Sequence, residues 1–426
     1  MKLTVNSILI SCLIMKILIV SQYFYPEQFQ INEIATELIQ RGNEVTVLCG
    51  IPNYPKGRFF DGYTTLAECR ERAAEYETKT GVKVVHVEQK PRGGNPLSLL
   101  RNYYSFVKAS KKAVKDLPPD FDVVLGYQLS PVTSMFAAAE YKKLHNVPLT
   151  YYVLDIWPVS AASMLKSKWN SVYPLVGKWS KKIYQKADRI LVTSRPFIYY
   201  LHDENRVPVD KMGYLPQHAG DGMIDMDLKA EDNGITDFMF AGNLGNGQRL
   251  DVIVNAAVEL GARGDYKVHM VGDGSMRGKL EQMVAEKGLE KNFIFYGNQK
   301  REDMPEFYRK ADVLLITLRG NNEVGNTMPG KLQMYMTTGK PILGAINGAA
   351  QEVIHEANCG KCVAAGDYKG LASLMKEFIE HPEYYTDGIL GLNAREYFKK
   401  NFTLDIYMDG LCRELEALVK AQKINR

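Results

Sequence analysis

The chain is predicted to be an α/β protein built as two Rossmann-like, doubly wound domains facing across a cleft. Three observations predict this. Apolar strand-like runs alternate with amphipathic segments, the mark of parallel sheets covered on both faces. The alternation fails over YLPQHAGDGMIDMDLKAEDNG (214–234) and restarts at residue 237. A length of 426 residues also exceeds what one ordinary core holds. The expected boundaries are an N-terminal extension at 1–14, a first domain at 15–218 and a second at 219–395. A C-terminal helix at 396–426 is expected to pack back on the first domain.

The first fourteen residues, MKLTVNSILISCLI, resemble a signal peptide only loosely, because Lys16 interrupts the apolar run and no small-x-small cleavage site follows. Met15 then opens KILIVSQ, so it reads as the natural start. Further first-half strands are EVTVLCG, KVVHVE, VVLGY, LTYYVLD and RILVTS, with an amphipathic helix INEIATELIQRGN (31–43) after the first. In the second half the strands are DFMFAGN, YKVHMVGDG, NFIFYGN, VLLITL and PILGAI. The segments LDVIVNAAVELGARG, KLEQMVAEKGL, MPEFYRKAD and MPGKLQMYMTTGK supply its helices.

Composition narrows the function classes. Apolar and charged fractions of 46% and 24% are those of a soluble globular protein, and a net charge of +4 excludes a generally polycationic nucleic-acid binder. No run reaches the ~20 apolar residues that span a bilayer. Six cysteines are spread thinly, as in a reducing compartment. Cys359-Gly-Lys-Cys362 lacks a second ligand pair, so it reads as two small apolar residues at a surface turn.

Local motifs point to an anion in the second half. Phe240-Ala-Gly-Asn-Leu-Gly-Asn-Gly-Gln-Arg249 follows a strand and reads G-x-x-G-x-G, not the dinucleotide fingerprint. Gly242, Asn243, Gly245 and Gln248 lie in it, and Arg249 near the helix start can neutralise phosphate. A tight strand-to-helix turn explains the same glycines. Val271-Gly272-Asp273-Gly274 ends the next strand, and Tyr296 in Phe295-Tyr-Gly297 can line a base pocket or sit in a plain turn. Met328-Pro329-Gly330-Lys331 opens a helix whose free N–H groups suit an anion; Lys331 opposes the helix dipole but suits a bound phosphate. In the first half, Glu27 and Gln28 follow the first strand at the rim and Asp155 ends a later strand, positions from which polar side chains can hold hydroxyl groups of a ligand. Two basic-aromatic stretches, 101–115 and 166–189, suit the headgroup layer of an anionic membrane.

FAGNLGNGQRLD, VGDG, IFYGNQKREDMPEFYRKADVLLITL and MPGKLQMYMTTGKPIL, with FYPEQFQINEIATELIQRGNEVTVLCGIPNYPKGRFFDGY and YYVLDIWPVSAASM, resemble family 4 glycosyltransferases of GT-B fold. The resemblance covers roughly 15–420 and points to the branch that builds bacterial lipid-linked and surface polysaccharides. It implies retaining transfer from a nucleotide-sugar, usually a UDP-sugar, to a saccharide or lipid-linked acceptor, with no metal and no cofactor. It places the diphosphate between the 242–249 loop and the helix starting near Pro329. The family's two glutamates, eight positions apart, fall here on Asn326 and Met334, with Glu323 nearby. The family's histidine after the fourth strand is replaced by Tyr127 and Gln128. The expected assignment is therefore Asp155, Arg249 and Lys331 in catalysis, on the cytoplasmic face of a membrane. A nucleotide-sugar epimerase, an NAD-dependent dehydrogenase and a non-catalytic nucleotide-sugar binder are the alternatives; the failed fingerprint disfavours the dehydrogenase.

Overall fold

The computed structural model describes residues 13–55, 57–160, 173–320 and 327–425. They form two compact units: one holds the chain to Leu215 together with Met408 onward, the other Pro216–Tyr407.

The first unit runs β1 (Lys16–Val20), α1 (Ile31–Gln40), β2 (Glu44–Gly50), α2 (Leu66–Thr80), β3 (Lys83–Val87), α3 (Pro96–Ala113), β4 (Val123–Gln128), α4 (Phe136–His145), β5 (Leu149–Val153), α5 (Tyr173–Tyr184), β6 (Arg189–Val192), α6 (Pro196–Asp203) and β7 (Met212–Tyr214). Its parallel sheet has the order β3-β2-β1-β4-β5-β6-β7. The central strands are buried along their whole length, which is why they read as unbroken apolar runs. Two of the elements that sequence reading did not name have a clear physical reason. β7 is only three residues long and contains Gly213. The helix α2 is too charged to show an apolar stripe; it is set instead by its ends, where Thr65 accepts from the Glu68 N–H and Gly81 turns left-handed at φ 79°.

In the second unit follow β8 (Thr236–Ala241), α7 (Asp251–Leu260), β9 (Tyr266–Val271), α8 (Arg277–Glu286), β10 (Phe293–Gly297), α9 (Met304–Arg309), β11 (Val313–Thr317), α10 (Gly330–Thr338), β12 (Ile342–Ala345), α11 (Ala349–Ala357), β13 (Gly360–Val363), α12 (Tyr368–Glu380), α13 (Glu383–Thr386), α14 (Ile389–Asn401) and α15 (Leu404–Asn425). The sheet order is β10-β9-β8-β11-β12-β13, again parallel. β13 corrects the expected surface turn at Cys359–Cys362: Gly360 pairs with Ile342 and Cys362 with Gly344, and burial pushes both thiols up to about 12.

The second unit continues past residue 395, because Ala394 and Phe398 of α14 are buried in its core. Arg395 from that helix donates to the carbonyls of Thr337 and Thr338, each at 3.1 Å, and so caps the C-terminal end of α10. Beyond Met408, α15 belongs to the first unit, where Asp409 meets Arg41 at 2.5 Å and Glu414 meets Arg189 at 2.7 Å.

In each sheet the connection reverses direction once, between β1 and β4 and between β8 and β11. Ligands of open α/β sheets bind outside the strand carboxyl ends at such points.

Candidate active site

At the second unit's switch point two glycine turns interlock. Gly242 follows β8 at φ 145° and donates its N–H to Val271 O at 2.9 Å. Gly272 follows β9 at φ 127° and donates to Gly297 O at 2.8 Å. A Cβ on Gly272 would lie 1.9 Å from the Gly242 carbonyl oxygen, so only glycine fits there. Leu244 N–H donates to Asp273 O at 2.8 Å, while the Asp273 carboxylate accepts from the Gly274 N–H. Beside these turns lies a concavity of about 380 Å³, lined among others by Gly242, Asn243, Gly272, Asp273, Gln299 and Met304.

The helix α10 begins next to it. Pro329 precedes the helix in extended conformation, no side chain among the described residues caps its first N–H groups, and its first turn contains no acid. Lys331 in that turn donates from Nζ to Gln248 Oε1 at 3.0 Å and lies 3.4 Å from the centre of the Phe240 ring. A Cβ on Gly242 would come within 2.9 Å of the Lys331 Cε and Nζ. No carboxylate pairs with this ammonium among the described residues, and burial pushes it down to about 7. Thr317 holds Gln248 in place by donating to its carbonyl at 2.6 Å. Tyr335, three residues from the helix end, accepts from Ala241 N–H at 2.8 Å and donates to Ala241 O at 3.2 Å. The helix and the first glycine turn are thereby tied together.

Arg249 is present but occupied. It stands in left-handed backbone at φ 50°, and its guanidinium forms a two-pronged pair with Asp251 at 2.9 Å. Gly245 packs beside the Asn243 amide, and Gly330 is exposed at the helix start. Met328 is a core residue, 8% exposed among Leu332, Met336 and their neighbours, rather than part of the rim.

In the first unit, Asp155 follows β5 and accepts from the hydroxyls of Ser130 and Ser160. Trp157 Nε1 donates to Ser130 Oγ at 3.1 Å, and the Gln128 amide donates to the Asp155 carbonyl at 2.8 Å. Glu27 does not face outward as expected. It is 1% exposed, and its carboxylate accepts from Asn53 N–H and Tyr54 N–H at 2.7 Å and Phe24 N–H at 3.2 Å. Burial outweighs these three bonds and raises its pKa to about 7. Glu27 is an anchor for the loop that carries Asn53 and Tyr54.

That anchoring is testable. A carboxyl whose folded pKa is raised stabilises the fold fully below its unfolded value near 4.5, and that contribution is lost as pH rises through about 7. Denaturant titrations of the wild type should therefore show stability falling across that interval, and Glu27→Gln should flatten the slope. Glu27→Ala, which strands buried N–H groups, should cost about 2–4 kcal/mol below pH 4.5 and progressively less as the pH rises through about 7.

Sequence comparison places both units. The family model described as Glycosyltransferase Family 4 matches residues 29–217, and that described as Glycosyl transferases group 1 matches 227–401. The chain belongs to the family 4 glycosyltransferases. A 2-deoxystreptamine glucosyltransferase of Streptomyces kanamyceticus is 27% identical over 34% of this chain, and the chain spans only 36% of that relative's length. A glycosyltransferase from Rickettsia africae superposes with a TM-score of 0.67 at 14% identity, covering 96% of this chain and 99% of that one. Alr3699/HepE of Anabaena, solved with UDP and glucose, gives 0.64 at 15% identity, covering 95% of this chain and 100% of that one. The two sheets are those of the GT-B fold.

Among the positions singled out for this glycosyltransferase, Glu323 and Asn326 lie outside the described residues. Met334 is packed against the core. Tyr296 is not among the residues lining the concavity; its hydroxyl meets His269 Nδ1 at 2.8 Å, and His269 Nε2 meets Asp237 at 2.7 Å. The Tyr296 carbonyl instead holds Gln299, which donates to it at 2.8 Å and does line the concavity. Sequence reading missed this chain because its members come from three different strands. The only local signal was a polar residue inside an apolar strand, as His269 is in YKVHMV.

Proposed function

We propose that the protein transfers a sugar from a nucleotide-sugar, a UDP-sugar, to a lipid-linked acceptor in bacterial polysaccharide or glycan assembly, with retention at the anomeric carbon. The observation that carries this reading is Lys331, a cation without a carboxylate partner among the described residues, in the first turn of an uncapped helix beside two glycine turns. Free backbone N–H groups plus an ammonium suit a diphosphate. The concavity next to Gly242 and Gly272 offers room for the nucleoside. The UDP bound in the Anabaena structure supports that choice of nucleotide.

Arg249 joins the diphosphate by exchanging Asp251 for it. Asp155, held by two serines, receives an acceptor hydroxyl. The leaving diphosphate takes the acceptor proton in a front-face displacement, so the residues needed are those that position the reactants and neutralise charge. No metal and no cofactor enters this scheme. A thermal-shift panel of nucleotides tests the reading, since a ligand that binds only the folded state stabilises it by about 2.7 kcal/mol at a hundred times Kd. UDP and a UDP-sugar should raise the melting temperature; a panel in which no nucleoside diphosphate does so refutes it.

The same reading includes docking on an anionic membrane face. On α3, Leu97, Leu100 and Tyr104 are exposed beside Arg101 and Lys108; on α5, Leu175 and Trp179 are exposed beside Lys178, Lys181 and Lys182. No helix among the described residues is long and apolar enough to cross a membrane. Basic residues at such a surface contribute roughly 1 kcal/mol each. Reversing the charge of Lys178, Lys181 and Lys182 should move the protein from the membrane to the soluble fraction on cell fractionation.

A further inference from the structure

We infer that Arg92 is the residue that holds an anionic group of the acceptor, a phosphate or diphosphate ester. This rests on the reading that the first unit takes the acceptor. Arg92 lies in the loop between β3 and α3, and that loop is built onto the one Glu27 anchors. The Arg92 N–H donates to Asn53 Oδ1 at 2.8 Å, and a Cβ on Gly57 would lie 2.0 Å from the Arg92 carbonyl oxygen. Two loops are thus locked to each other, and their joint fixes where the guanidinium starts.

The guanidinium itself is half-buried, donates to the Tyr23 hydroxyl at 3.2 Å and lies 5.2 Å from the centre of the Tyr54 ring. Tyr23, Tyr54 and Phe29 in turn pack on one another, with centroids 5.3–5.6 Å apart. A half-buried guanidinium normally pairs with a carboxylate. Among the described residues, Arg92 has none. Glu27, which anchors the neighbouring loop, is already bonded to three backbone amides, and Asp155 is held by Ser130 and Ser160. Burial raises the Tyr103 phenol, while Arg92 opposes and Asp155 adds to that shift, so both charges lie within electrostatic reach of it.

A guanidinium has five N–H donors in a flat fork, and one bond to Tyr23 leaves most of them open. Phosphate oxygens match that fork better than hydroxyls do. An acceptor reaching over Tyr103 would then set its anion on Arg92 and its hydroxyl at Asp155. The phosphate can belong to a lipid diphosphate or to a soluble sugar phosphate; both present the same oxygens.

Calorimetric titration with UDP saturating, so that the donor site is filled, tests this. The probes are farnesyl diphosphate, glucose 6-phosphate, farnesol and glucose. At least one phosphorylated probe should bind more tightly than its uncharged counterpart. Arg92→Gln should weaken that probe about tenfold or more, while Arg92→Lys recovers part of the loss and UDP affinity stays put. Preference for farnesyl diphosphate marks a lipid-borne acceptor, and preference for glucose 6-phosphate a soluble one; either supports the inference. It is overturned if neither phosphorylated probe binds the wild type, if the uncharged probes bind equally well, or if a folded Arg92→Gln protein binds as the wild type does. Failure of UDP to bind would instead count against the donor reading alone.

Discussion

Lys331→Ala is expected to weaken UDP binding by about 2–4 kcal/mol, thirtyfold to several hundredfold, because it removes a desolvated charge from a charge-assisted contact. The wild-type affinity should also depend on pH in a definite direction. Burial pushes the free ammonium down to about 7, so below that pH the lysine is already charged and ready for the diphosphate. Above it, binding must be accompanied by proton uptake. Affinity should therefore fall as pH rises from about 7 to 9, by at most about tenfold per unit, since one proton is linked. Calorimetry in buffers of different ionisation enthalpy measures that proton directly. Lys331→Arg stays charged throughout and should bind with a flat profile over the same interval. A wild-type affinity that does not change between pH 7 and 9 would mean the ammonium is not at the diphosphate.

Gly272→Ala is the substitution expected to cost most in the fold. The new Cβ would lie 1.9 Å from the Gly242 carbonyl oxygen, in a backbone of φ 127° that side chains rarely adopt. Neither partner can retreat cheaply, since Gly242 N–H is bonded to Val271 O and Gly272 N–H to Gly297 O. A loss of about 3–5 kcal/mol in denaturant unfolding is expected, in the range of steric conflict at a special backbone angle. Gly247→Ala serves as its control, because a Cβ there meets nothing within 4 Å. Equal stability of the two variants would show that the interlocked turns give way easily.

Much of the fold was legible because parallel strands buried on both faces must be apolar, and the turns that follow them must let backbones touch. That is why β8 to β9 and the start of α10 could be placed from residue type alone. The short edge strands β7 and β13 were not legible: three or four residues with a glycine carry no period. The roles of single side chains were least legible. Glu27 reads like any rim carboxylate until its three amide donors are seen, since they come from residues both adjacent and distant in sequence. Arg249 reads as a phosphate ligand, yet its neighbour Asp251 supplies the competing anion two residues away. Arg92, in a loop without periodicity, had no signal other than its charge.

One phenol hydroxyl joins the parts that matter most. Tyr335 both accepts from and donates to the Ala241 peptide group, so α10 and the turn after β8 are fastened to each other by the fold itself. The entropy of ordering those two pieces is then spent during folding rather than at each encounter. On the proposed reading, a nucleotide would then dock into a receiver already assembled, its speed governed by collision and the pull of the Lys331 ammonium.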